Sequence, residues 1–229
     1  MHLRTRIQNL FEELFYTELS GSKRLRAGIL IGLLGFQGVS LLLIYLLSSE
    51  EYFRLFSSSI ALYAVLIFMV IIIIYEIIAW HFTGKYTNAG FTRTHYSAYL
   101  ATFIEISLLS LLLIFIIRYS NQVIILQSPA ALTYFLFIIL SILRLDFKLS
   151  LFTGLLAAFQ YVLISFIFTR DPMTGNEHLN ITNIQYLGYG ATMITAGIAA
   201  GFAADVIKRN MRAAFNSMYE KKMVIDLFG

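Results

Sequence analysis

Six apolar segments of roughly membrane-crossing length divide this chain, and they leave an all-helical bundle in a bilayer as its fold. A helix needs about 20 mainly apolar residues to cross the hydrocarbon core. The segments are roughly 27–47, 60–80, 97–117, 129–145, 150–169 and 184–207. The composition points the same way. Of the residues, 59% are hydrophobic and 13% charged, whereas a soluble domain carries about 25% charged residues. The fourth segment is the weakest, because Arg144 sits inside its end. Ser128 and Pro129 offer it a cap and a first helical turn. The turn into the fifth segment is so short that these two spans are expected to be antiparallel neighbours.

Residues 1–26 are mostly polar or amphipathic, and no small-residue cleavage site follows the first apolar run. The first segment is therefore expected to be an uncleaved anchor. The chain has no cysteine, which excludes disulfides, thiolate metal sites and cysteine nucleophiles.

Charge sets the expected orientation. Of the 17 basic residues, only Arg54, Arg118 and Arg170 fall on one side of the six segments. The rest fall on the other, including Arg4, Arg6, Lys23, Arg24, Arg26, Lys85, Arg93, Arg144, Lys148, Lys208, Arg209 and Arg212. The positive-inside rule then places both termini in the cytosol. Trp80, Tyr52, Tyr119, Tyr161 and Tyr186 fall near segment ends or in outer turns of helix, as interfacial aromatic residues do.

Both cytosolic ends carry a helical pattern. In residues 1–26, Leu3, Ile7, Leu10 and Leu14 form an apolar stripe with Phe11 and Phe15 beside it. Such a stripe lies on the membrane surface or docks on protein, and its spacing does not separate the two. After the sixth segment, Ile207, Met211, Ala214, Met218, Lys221, Ile225 and Phe228 are spaced alternately four and three apart. That is a heptad seam, apolar at every position but Lys221. It continues from the sixth segment with no glycine or proline between Phe202 and Phe228. Gly197 and Gly201 lie four apart in that segment, a spacing that lets helix backbones approach closely. A dimer contact through this helix is expected. Gly28 and Gly32 repeat the spacing in the first segment.

These residues resemble the N-terminal membrane domain of bacterial membrane-bound class III adenylate cyclases. The likeness rests on the six-span plan, on the basic helix from Arg209 to Met218, and on the ending Glu220 to Gly229 with its Val-Ile-Asp-Leu-Phe-Gly run. The turn Leu143-Arg144-Leu145-Asp146-Phe147-Lys148, continuing to Gly154, is also similar to that family's link between its fourth and fifth spans. The resemblance implies a homodimer in the bacterial inner membrane. It also implies a catalytic domain after the transducing helix, converting ATP to cAMP with two divalent metal ions, Mg or Mn, on paired aspartates. None of those catalytic residues is in this sequence, so no residue here takes a catalytic or metal-binding role and no cofactor is expected in it. The expected organisation is a cytosolic amphipathic helix (1–26), a six-helix membrane domain (27–207) and a cytosolic transducing helix (208–229).

Ionisable residues inside spans are costly and mark functional positions. Glu76 lies about 6 Å along its helix from Trp80, and Glu105 about 12 Å into the third segment. Glu105 and Glu76 are expected to pair with Arg144 or Lys148 in a polar latch at the base of the bundle, with Glu76 and Asp205 alternatively reaching interfacial water. The histidines His2, His81, His95 and His178 do not pack into span interiors as haem ligands would. Gly84-Lys85 lacks the glycine-rich run of a phosphate loop. The paired broken spans of a transporter are not evident. Partners expected are a second copy, membrane lipid and a lipophilic ligand entering between spans, with no nucleic acid. The alternatives are a membrane sensor for another signalling enzyme, such as a histidine kinase, and a self-contained small transporter.

Overall fold

The computed structural model describes residues 2–50, 53, 59–83, 91–120, 125–126, 129–169 and 183–228. Its elements are α1 (His2–Leu47), α2 (Ser59–Thr83), α3 (Phe91–Ser120), α4 (Pro129–Leu140), a 3-10 turn (Ser141–Arg144), α5 (Phe147–Thr169) and α6 (Asn183–Phe228). No strand occurs among the described residues. Side chains within 2–24 and all beyond Ser217 lie outside the description, as do Ser128, Arg170 and His178.

Among the described residues, four helical stretches are long and apolar enough to cross a membrane: Leu25–Leu47, Tyr96–Tyr119, Phe147–Thr169 and Ile184–Ala214. Leu62–Ile78 and Ala131–Arg144 are apolar but shorter. Helices suit this setting because each satisfies its own backbone hydrogen bonds away from water. The core is apolar, yet large apolar side chains also cover the outside and several polar ones are buried. Phe36, Leu46, Leu111, Phe159 and Ile184 are exposed, whereas Glu76, Glu105, Ser110, Thr133 and Ser165 are buried. The chain is a helical membrane protein.

The tightest packing joins α5 to α6. A Cβ on Gly197 would lie 2.8 Å from the Gly154 Cα, and one on Gly201 would lie 2.7 Å from the Phe147 ring. Ordinary carbon contacts are about 3.5–4.0 Å, so neither position has room for a side chain. Gly190 sits as closely on Val162. The small-residue face of α6 is therefore used within the chain. Gly197 and Gly201, expected at a contact between subunits, pack here on α5 of the same chain.

Two features refine the ends of these segments. The fourth segment does not stay α-helical to Leu145. It tightens into the 3-10 turn and ends where Leu145 takes a left-handed conformation (φ 53°, ψ 34°). A leucine there costs about 1–2 kcal/mol, and burial of its side chain at 3% exposure holds it. Asp146 then caps α5, its Oδ1 accepting from the Lys148 and Leu149 N–H groups at 2.9 and 3.3 Å. At the other end of the chain, α1 runs unbroken from His2 to Leu47. The striped segment and the first apolar segment are one helix.

Candidate functional site

Four charged side chains from four elements meet at the end of the bundle where the 3-10 turn lies. Arg26 comes from α1, Glu76 from α2, Glu105 from α3 and Arg144 from the turn. Their side chains are 9%, 3%, 3% and 9% exposed respectively. Two cations face two anions, so the set is neutral as a whole. That neutrality is what permits such burial, because an uncompensated charge away from water costs several kcal/mol (about 2.5–3.5 kcal/mol at a span centre by insertion).

Glu105 is the hub. Its Oε1 and Oε2 accept from Arg144 Nη2 at 3.0 and 3.3 Å, and its Oε2 also accepts from Arg26 Nη2. Arg144 Nη1 donates to the Ala98 carbonyl at 2.7 Å and to the Thr102 hydroxyl. The Thr102 hydroxyl in turn donates to Ala98 O at 2.9 Å. Glu76 is bound less completely. Its Oε1 lies 3.6 Å from Arg26 Nη1 and has no hydrogen-bond partner, although it is buried. Arg26 Nε is likewise buried without an acceptor.

The structure brings together three of the four residues expected at the latch, Glu76, Glu105 and Arg144. Lys148 is not among them. It is exposed on the first turn of α5, where the chain has already turned away from the cluster. Its place as second cation is taken by Arg26. Nor is Glu76 open to interfacial water, since it is buried beside Arg26. Asp205 does lie at a half-exposed position, 3.8 Å from Arg209 one turn along α6.

A second polar group lies deeper among the spans. The Ser110 hydroxyl is 2.7 Å from the Tyr134 hydroxyl and donates to Gln160, whose Nε2 donates to Ser107 at 3.0 Å. This joins α3, α4 and α5 by neutral hydrogen bonds. Beyond it, Tyr161 donates to Leu126 O at 3.0 Å and packs near Tyr134, Tyr186 and Tyr189. The cleft that Tyr161 and Tyr189 line with Leu126, Ala131 and Met193 is of water size. Among the described residues, no group of three or more His, Cys, Asp or Glu side chains could hold a metal ion.

Of the expected signalling-helix residues, Ile207 and Ala214 are exposed and Met211 is half-buried. Met218, Ile225 and Phe228 belong to α6, with side chains outside the description. Comparison of the chain with protein-family models, curated proteins and solved structures finds no match.

Proposed function

We propose that this chain is the membrane-embedded regulatory and dimerisation domain of a signalling enzyme, and that the enzyme is a class III adenylate cyclase. In this reading six spans cross the bacterial inner membrane, both termini are cytosolic, and α6 carries the output. The observation that supports it is the continuity of α6. One helix packs on α5 within the apolar bundle and runs on to Phe228. At about 1.5 Å per residue, the part beyond Gly201 extends roughly 40 Å.

The charge cluster is the natural point of control. Arg144 belongs to the 3-10 turn, and that turn touches α1, α4, α5 and α6. A change in how Arg144 is held would move the turn, and the turn would move α6. Coupling of this kind needs about 1–3 kcal/mol. The stimulus is a lipophilic ligand or a change in the bilayer itself, acting on a second copy of the chain in the same way.

Reading the gene beyond the codon for Gly229 tests the proposal. An open frame encoding a cyclase domain with paired metal-binding aspartates supports it. A frame leading to a phosphoacceptor histidine points to a kinase sensor. A stop codon at that point removes the cyclase reading and directs the next assay to transport in liposomes.

A further inference from the structure

We propose that Arg26 is a shared cation that exchanges between Glu105 and Glu76, giving the bundle two charge-pairing states that differ in where α1 lies. The exchange deepens the regulatory role proposed for the cluster, and it does not depend on the cyclase assignment.

The argument starts from an uneven distribution of bonds. Glu105 accepts from two arginines, while Glu76 Oε1 accepts from none. Across from Glu76, the Arg26 Nε–H is also unused. A buried donor and a buried acceptor are thus left open on two oppositely charged groups already 3.6 Å apart. An unmet buried polar group costs about 1–3 kcal/mol, more if charged.

A small movement of α1 would let the Arg26 guanidinium present its Nε and Nη edge to Glu76 as a fork, the strong geometry for arginine and carboxylate. Glu105 would not be stranded by this. Arg144 already binds both of its oxygens. The second state is then Arg26 with Glu76 and Arg144 with Glu105, and no charge in it is uncompensated. The first state shares Glu105 between two cations, and the second distributes the same four charges as two pairs.

The packing allows α1 to be the moving part. It rests on α2 and on the 3-10 turn. On its other side, side-chain positions at Gly28, Gly32 and Gly35 would meet nothing within 4 Å. Arg26 is followed on its inward face by Leu30 and Leu34, both buried, so a shift of the guanidinium carries that face with it. Helix shifts in such switches are typically about 1–2 Å.

The absence of cysteine allows clean spin labelling at Phe36→Cys on α1 and Leu100→Cys on α3, both exposed positions. Distances between the labels would be measured by pulsed electron spin resonance on the whole chain in lipid nanodiscs. Glu105→Gln removes the first state and Glu76→Gln removes the second. The two variants should differ in mean label distance by about 1–2 Å, with the unsubstituted chain matching one of them or lying between. Superposable distributions for the two variants would overturn the exchange. If Glu105→Gln does not fold, Glu105→Asp replaces it, since the shorter side chain withdraws from Arg26 but keeps its charge. Superposition with Glu76→Gln would again overturn the proposal.

Discussion

Removing a matched pair of charges from the cluster should cost clearly less than the two single removals added together. Glu105→Gln leaves Arg26 and Arg144 facing Glu76 alone, with one cation uncompensated. Arg144→Met leaves Arg26 facing Glu76 and Glu105, with one anion uncompensated. An unpaired charged group at the centre of a span costs about 2.5–3.5 kcal/mol by insertion. These residues lie toward one end of the bundle, so about 2–3 kcal/mol is the expected loss for each single change. The double variant keeps the neutral pair Arg26–Glu76 and loses the hydrogen bonds to Ala98 and Thr102. Its loss should fall short of the sum of the single losses by about 2 kcal/mol or more. Neutral hydrogen bonds between spans average about 0.6 kcal/mol and reach only about 1.7, so a coupling of that size identifies charge compensation. Reversible unfolding in mixed micelles, followed by helical circular dichroism, would supply the four free energies. Losses that add to within about 0.5 kcal/mol would refute the reasoning.

Three other substitutions test separate parts of the structure. Gly197→Ala pushes a methyl against the Gly154 backbone and should cost about 1–3 kcal/mol; an unchanged Tm in detergent would contradict that helix crossing. Lys148→Ala should stay within about 0.5 kcal/mol of the parent in the same unfolding assay, because Lys148 is outside the charge cluster. Tyr186→Phe removes a buried hydroxyl that has no hydrogen-bond partner, so stability should hold or rise by up to about 1 kcal/mol; a clear loss would mean that the hydroxyl is bound.

The positions of the helices were legible because apolar length marks them directly. Five of the six apolar segments lie within a helix, and the fourth runs through α4 and the 3-10 turn to Leu145. Which face of each helix meets protein was much less legible. A soluble helix reveals its inner face by alternating with polar residues, but lipid is as apolar as a protein interior and erases that contrast. Gly197 and Gly201 therefore announced a close helix contact without naming its partner, which is α5 of the same chain. Glu105 was conspicuous because it lies far from any segment end. Arg26 was missed for the opposite reason, since a basic residue at a segment boundary looks like one more charge in the headgroups. Its spacing from Leu30 and Leu34 puts it on a buried face, but only the fold shows which face that is. The left-handed Leu145 carries no sequence signature, because leucine is not a residue that favours that conformation.

The pairing of Arg26 with Glu105 also sets an order of events during synthesis. The two residues are 79 positions apart. At about 5–20 residues per second, Arg26 leaves the ribosome several seconds, roughly 4–16, before its partner exists. Glu76 emerges between them and is the first of the two cluster carboxylates to be made. The first helix thus enters the bilayer carrying an arginine that must be parked, either near the headgroups by extending its long side chain or on Glu76 alone. Arg144 arrives last and completes the neutral set, so the bundle closes only once the turn after α4 has been made.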